Sequence, residues 1–366
     1  MLLLKISVCK DSGRIIFTQS FAEVRRHGDI NYIFNCTVFL ILKFKVYSPN
    51  QLSFRFKENN MCENIDSLKL NFDPDKLFLL SCLLAFLMFG IALNLKVADF
   101  KRIVEAPRKA IAGVLSQYLV LPILTYLIVI IFKPCPSIAL GIFLLGACPG
   151  GNMSNFLSHL AKGNVALSVT LTAMQTVLAP LMTPITFAIC ANSYPPTVEL
   201  MKTISIDTWQ LVREIVLILG IPLILGMVFN YKFESLTKKI LKPIQRVSIL
   251  LFLGFLVFTF VNNYHIFVQI IGSIFILVLL HNGLAMLGGY SVATLFRLDF
   301  KDKKCLTIET GIHNAALGLI IIFAFFDGLG GMAVVAGWWG LWDLVSGFAV
   351  ALSWSYLAKR KSEVAL

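Results

Sequence analysis

Two short stretches hold most of the residues in this chain whose types and spacing suit chemistry. Cys148-Pro149-Gly150-Gly151-Asn152-Met153-Ser154-Asn155 and Glu309-Thr310-Gly311-Ile312-His313-Asn314 each set helix breakers beside amide, hydroxyl or carboxyl side chains, within otherwise apolar sequence. In hydrocarbon each freed backbone N–H or C=O costs several kcal/mol unless it is re-satisfied, so broken backbone persists there only against protein or a water-filled cavity. Paired interruptions of this kind point to the midplane site of a secondary transporter. The chemistry on offer is coordination of a hard cation. Sodium takes several oxygen ligands, and carbonyls freed at a break supply them together with Ser, Thr, Asn and Glu oxygens. Glu309 is the most informative residue, because a carboxylate inside a span is expensive and marks an ion or proton path. Its plainer reading is an interfacial residue near Lys304, with the apolar span starting later. Ser168 and Thr172 are four apart and share a helical face. Taken singly they are packing glue or back-bonded hydroxyls; they gain weight from Ser154, Asn155 and Glu309. Gln117, strongly polar within an apolar stretch, suits an ion site or an interhelical hydrogen bond.

The elements that position these residues follow from composition. With 57% hydrophobic and 14% charged residues over 366 positions, and a mean hydropathy of +0.80, an ordinary soluble domain is excluded. The chain reads as an all-α polytopic membrane protein. About nine spans are expected, at 76–96, 107–132, 136–161, 164–191, 209–231, 244–264, 266–296, 304–326 and 329–358. The net charge of +12 reports topology rather than nucleic acid, since Lys and Arg gather in alternate loops. They follow spans one, three, five and seven and close the chain at Lys359, Arg360 and Lys361. The amino end of span one is therefore expected outside the cell membrane and the carboxyl terminus in the cytoplasm. Spans three and eight, which carry the breaks, then run antiparallel, and matching them pairs spans one to four with six to nine as an inverted repeat. Residues 1–60 lack a full span and a signal-peptide layout; they read as a dispensable extension, with Met61 as the biological start and 61–366 as the transporter domain. The eight cysteines show no CxxC or Cys/His spacing and read as free thiols in apolar packing.

The residues also carry a resemblance. CPGGNMSN at 148–155, LAKGNVALSVTLTAMQTVLAPLMTPITF at 160–187, LHNG at 280–283 and LTIETGIHN at 306–314, in this order, resemble the bile acid:sodium symporter family over about residues 75–358. The resemblance implies a core and a panel domain, two discontinuous helices crossing in the core, and sodium-driven symport of an organic anion by alternating access. It implies a first sodium site at Ser154, Asn155, Ser168, Thr172 and Glu309. A second is implied at Gln117, Glu309, the carbonyls of Thr310 and Ile312, and His313. Substrate is expected near Asn152 and Asn314, with Asp343 close by, where amide donors and half-helix amino ends attract an anion. Two departures stand out. His313 replaces the Gln usual in the family, and imidazole offers nitrogen, a poor ligand for so hard an ion. Asp343 replaces a His or another polar residue. The expectation is one sodium at the first site, with a proton or a His313–Asp343 pair standing in for the second.

Proton coupling and organic-anion efflux are the nearest alternative functions. An intramembrane hydrolase using Glu309 and His313 as acid and base is a distant one, opposed by the lack of HExxH, GxSxG or a nucleophile beside them. A purely structural or receptor role leaves two polar breaks at membrane depth without a reason. Besides the anion, the bilayer and sodium, no organic cofactor and no nucleic acid is expected; the oligomeric state is left open.

Overall fold

A computed structural model describes residues 59–67, 77–93, 95, 105–204, 207–262 and 264–364, all within a compact unit running from Ser53 to Leu366. The regular structure of the described residues is helical. In chain order the helices are α1 (Asn59–Ser67), α2 (Leu77–Ala92), α3 (Pro107–Leu115), α4 (Leu121–Phe132), α5 (Pro136–Ala147), α6 (Met153–Leu160) and α7 (Val165–Ser193). They continue as α8 (Pro195–Thr203), α9 (Thr208–Lys232), α10 (Glu234–Asn262), α11 (Tyr264–Leu295), α12 (Phe300–Gly311), α13 (Ala315–Phe325) and α14 (Gly330–Val364). A π-helical turn, Ser116–Val120, joins α3 to α4. The expected extension lies outside the described residues except for Asn59 and Asn60, which open α1.

Local sequence explains most boundaries. Proline stands in the first turn of α3, α5 and α8, where its missing N–H costs nothing. Asn164, Asp207 and Asn314 cap α7, α9 and α13 by accepting backbone N–H groups of the first turn. Lys133, Lys162 and Arg297 adopt left-handed backbone just after α4, α6 and α11 and turn the chain.

Among the described residues five helical stretches are long and apolar enough to cross a bilayer: Pro107–Phe132, Val165–Ser193, Thr208–Lys232, Ile274–Leu295 and Gly330–Ala358. They coincide with five of the expected spans. The apolar helices α5 and α13 have 12 and 11 residues. At 1.5 Å per residue each covers little more than half of a ~30 Å hydrocarbon layer, so each needs its neighbour across the break, α6 or α12, to complete a crossing. Every residue of α5 from Ser137 to Ala147 is buried, and the outer face of α9 leaves Ile221, Ile224 and Leu225 more than half exposed. An apolar interior with an apolar exterior is what a helix bundle in lipid presents.

Three expectations need correction. The basic stretch after α9, read as a loop, is helical: α10 starts at Glu234, and Lys238 pairs with that residue one turn away at 2.7 Å. The second interruption is narrower than its composition suggests, because α12 runs through Gly311 and keeps Glu309 on regular helix; only Ile312–Asn314 is broken. Two of the cysteines are not free. Cys62 and Cys135 form a disulfide between α1 and the start of α5, across 73 residues. Asp66 Oδ1 accepts the Ser137 N–H at 2.9 Å in the same contact, a carboxylate on a helix amino end. No local spacing announces this pairing; the docking of α1 creates it.

Candidate functional site

The two breaks meet. Gly150 and His313 form an isolated antiparallel bridge, Gly151 N–H donates to Ile312 O at 3.1 Å, and Asn314 N–H donates to Pro149 O at 2.9 Å. Backbone groups freed in one broken segment are thus satisfied by the other. The approach demands glycine: a Cβ on Gly150 would lie 2.8 Å from both Glu309 Oε1 and Gln175 Oε1.

Beside this bridge α6, α7 and α12 bring together the five residues expected at a first cation site. Glu309 Oε2 accepts from Ser154 Oγ at 2.6 Å and from Ser168 Oγ at 3.1 Å, and Oε1 accepts from Thr172 Oγ1 at 2.7 Å. Asn155 Oδ1 lies 3.3 Å from Thr172 Oγ1. Ser154, Ser168 and Glu309 are completely buried. Each hydroxyl donates one hydrogen to the carboxyl group and keeps its lone pairs, so the cluster presents converging oxygens of the kind a hard cation takes.

The residues expected at a second cation site are only partly convergent. Gln117, in the π-helical turn, donates from Nε2 to Cys148 O at 2.8 Å, while its buried Oε1 has no hydrogen-bond partner among the described residues. Thr310 Oγ1 lies 2.7 Å from Ser116 Oγ and donates to Leu306 O. The Ile312 carbonyl already accepts from Gly151. The His313 ring turns away toward α14: Trp339 Nε1 donates to its Nδ1 at 3.2 Å, which puts the ring hydrogen on Nε2, a buried atom without a partner among the described residues.

The expected pairing of His313 with Asp343 takes another form. Asp343 Oδ2 accepts the His313 backbone N–H at 2.7 Å and stands 3.7 Å from ring Nδ1, the atom already taken by the indole. Asp343 Oδ1 accepts from Asn282 Nδ2 at 2.9 Å, and Asn282 Nδ2 also donates to Gly311 O at 2.8 Å. Asp343 is 3% exposed with both oxygens engaged, and through them it secures the second break. The other two residues expected near substrate are more open. Asn152 is exposed before α6, and Asn314 is half-buried before α13 with its Oδ1 holding Leu317 N–H.

Residue-by-residue reading missed Gln175 and Asn282. Gln175 Oε1 accepts Gly150 N–H at 2.7 Å. It lies three residues after Thr172, hence on nearly the same helical face, and that spacing was the available signal. Asn282 is an amide deep in an apolar helix, where an interhelical role is the default. The placement also removes the hydrolase alternative, since Glu309 faces α6 and α7 while His313, beyond the end of α12, faces α14.

Comparison with known proteins gives the class. Residues 81–270 match the model of the sodium bile acid symporter family. The sodium-dependent transporter YocS of Bacillus subtilis is 32% identical over 278 residues, which is 76% of this chain and 83% of that protein. The chain belongs to the sodium bile acid symporter family. It is thus a multi-pass membrane protein of a transporter family, not an enzyme. The sodium/bile acid cotransporter 4 of Mus musculus is 28% identical over 238 residues, 64% of this chain and 53% of the mouse protein, so the match spans about half of that relative's length. The family match includes Gln117 and the α6–α7 cluster; Glu309, His313, Asn314 and Asp343 lie beyond it, and their place beside that cluster is a matter of geometry.

Proposed function

We propose that this symporter-family protein carries sodium and an organic anion, a small carboxylate or a bile-acid-like amphiphile, into the cell by alternating access. The observation that carries the reading is the buried Glu309 carboxyl group ringed by Ser154, Ser168 and Thr172 beside the paired breaks. A buried charge is tolerable when it is paired or coordinates a metal ion, and here the ring supplies hydroxyls but no basic side chain. Sodium at Ser154, Asn155, Ser168, Thr172 and Glu309 supplies the missing charge. The anion then binds near Asn152 and Asn314, before the amino ends of α6 and α13, where main-chain N–H groups and helix dipoles favour negative charge.

The proposed architecture has nine spans, with spans one to four and six to nine forming an inverted repeat that divides into a core and a panel domain. Two independent features support an external amino end for span one and a cytoplasmic carboxyl terminus in the cell membrane. The basic loops alternate. The Cys62–Cys135 disulfide falls on the side those loops assign to the exterior, where an oxidising environment maintains such bonds.

A single coupled sodium fits best, because the His313 ring is engaged by Trp339 and offers no oxygen to a second ion. The test is uptake into proteoliposomes of a panel of organic anions, with and without an inward sodium gradient, in wild type and His313→Gln. Sodium-dependent uptake with a Hill coefficient near one is expected, rising in the variant if the Gln side chain restores a second ligand set. Uptake driven equally by a proton gradient without sodium would favour the proton-coupled alternative. A wild-type coefficient near two, unmoved by the substitution, would sink the single-ion stoichiometry.

A further inference from the structure

Each break leaves a carbonyl and, two residues on, an N–H group to be satisfied, and the same chemical device serves both. At the first break Gln117 Nε2 donates to Cys148 O at 2.8 Å and Gln175 Oε1 accepts Gly150 N–H at 2.7 Å. At the second, Asn282 Nδ2 donates to Gly311 O at 2.8 Å and Asp343 Oδ2 accepts His313 N–H at 2.7 Å. In both cases a carboxamide holds the carbonyl at position i and a side-chain oxygen holds the N–H at i+2. The supporting helices also correspond. Gln117 and Asn282 lie in spans two and seven, Gln175 and Asp343 in spans four and nine, which are the partners under the inverted repeat. Within the second set Asn282 and Asp343 also bind each other at 2.9 Å.

We propose that Gln175 and Asn282 are positioning residues for ion binding, completing with Gln117 and Asp343 two symmetry-related splints that hold the broken backbones in the geometry the cation needs. The inference rests on the sodium reading above. Its link to the ion is direct at the first break, where Gly150 is wedged between Gln175 Oε1 and Glu309 Oε1, so a shift of Gly150 bears on the carboxyl group. At the second break the splint grips Gly311 and His313, the residues that flank Ile312 and follow Thr310. Gln117 serves twice, since Nε2 belongs to the splint while Oε1, without a partner among the described residues, remains for a ligand.

The test uses Gln175→Met and Asn282→Leu, which approximate the side-chain volume without its hydrogen bonds, in the full-length protein. Sodium is titrated alone, read by thermal stabilisation, and then in uptake assays. The half-saturating sodium concentration is expected to rise about tenfold in either variant, the scale of one buried backbone group left unpaired. The rate at saturating sodium should change by less than that factor. Thr170→Val, which removes an ordinary back-bond to Ala166 O, should leave sodium dependence unchanged. Unchanged half-saturation in folded Gln175→Met and Asn282→Leu overturns the proposal. Should neither variant fold, hydrogen exchange on wild type decides: Gly150 and His313 amides should exchange as slowly as those inside α5, and loop-like exchange overturns the splints. A wild type that shows no sodium response at all would instead defeat the transport reading, and the sodium role of the splints with it.

Discussion

At Glu309 charge and hydrogen bonding can be separated. Glu309→Gln keeps the shape and an acceptor oxygen but removes the sole full charge among the five clustered residues, whereas Ser168→Ala removes one neutral donor at 3.1 Å. Sodium binding, measured by thermal stabilisation, should therefore fall far more in the first variant; equal, mild losses would place the cation elsewhere. Gly150→Ala is the complementary case. Its methyl group would meet two side-chain oxygens at 2.8 Å, closer than carbon and oxygen pack, so the Glu309 carboxyl and the Gln175 amide must both give way or the backbone must shift. Weaker sodium stabilisation with the fold retained is expected, and wild-type affinity in this variant would show that the break is looser than its contacts imply.

Between elements, the end of the bundle opposite the disulfide is fastened by charge. Asp302 in α12, 1% exposed, receives Lys109 of α3 at 2.7 Å and the amide of Asn164, the cap of α7, at 2.7 Å. Lys304 donates to Ala161 O at the carboxyl end of α6, where a cation complements the helix dipole. These contacts tie together the three helices that supply the Glu309 cluster. Lys109→Met would leave Asp302 buried with only a neutral donor. Since the lysine is itself one-third exposed, the loss should sit near the low end for a broken buried pair, about 3 kcal/mol. A lowered unfolding midpoint checks this, and an unchanged midpoint would mean that water replaces the ammonium.

For the whole molecule, orientation in the bilayer is read by the accessibility of the disulfide. In intact cells a membrane-impermeant reductant followed by an impermeant maleimide should label Cys62 and Cys135 without permeabilisation, because both lie on the side that the charge pattern assigns to the exterior. Labelling only after permeabilisation would invert the topology. Removal of residues 1–60 is expected to leave insertion and uptake intact, since that stretch supplies no full span and no site residue, and the truncated chain still contains Cys62. Failure to insert would assign it a structural role.

The hydropathy of the chain, its clusters of basic residues and the presence of two polar interruptions were readable residue by residue, because a bilayer imposes length, charge and backbone rules that act locally, although the basic stretch after α9 proved helical and the second break narrower than its composition suggests. Composition was thus enough to identify the five long apolar spans found among the described residues, and the order of motifs was enough to suggest the symporter family and the Glu309 cluster. What the linear pattern lacked was partnership at long range. The Cys62–Cys135 bond spans 73 residues, Gln175 reaches back to Gly150, and Asn282 joins Gly311 to Asp343. The resemblance set Asp343 near the substrate, and the sequence named no partner for it beyond His313. Only packing could show both its oxygens engaged by α11 and by the broken backbone after α12, since a hydrogen-bond partner depends on which helices touch.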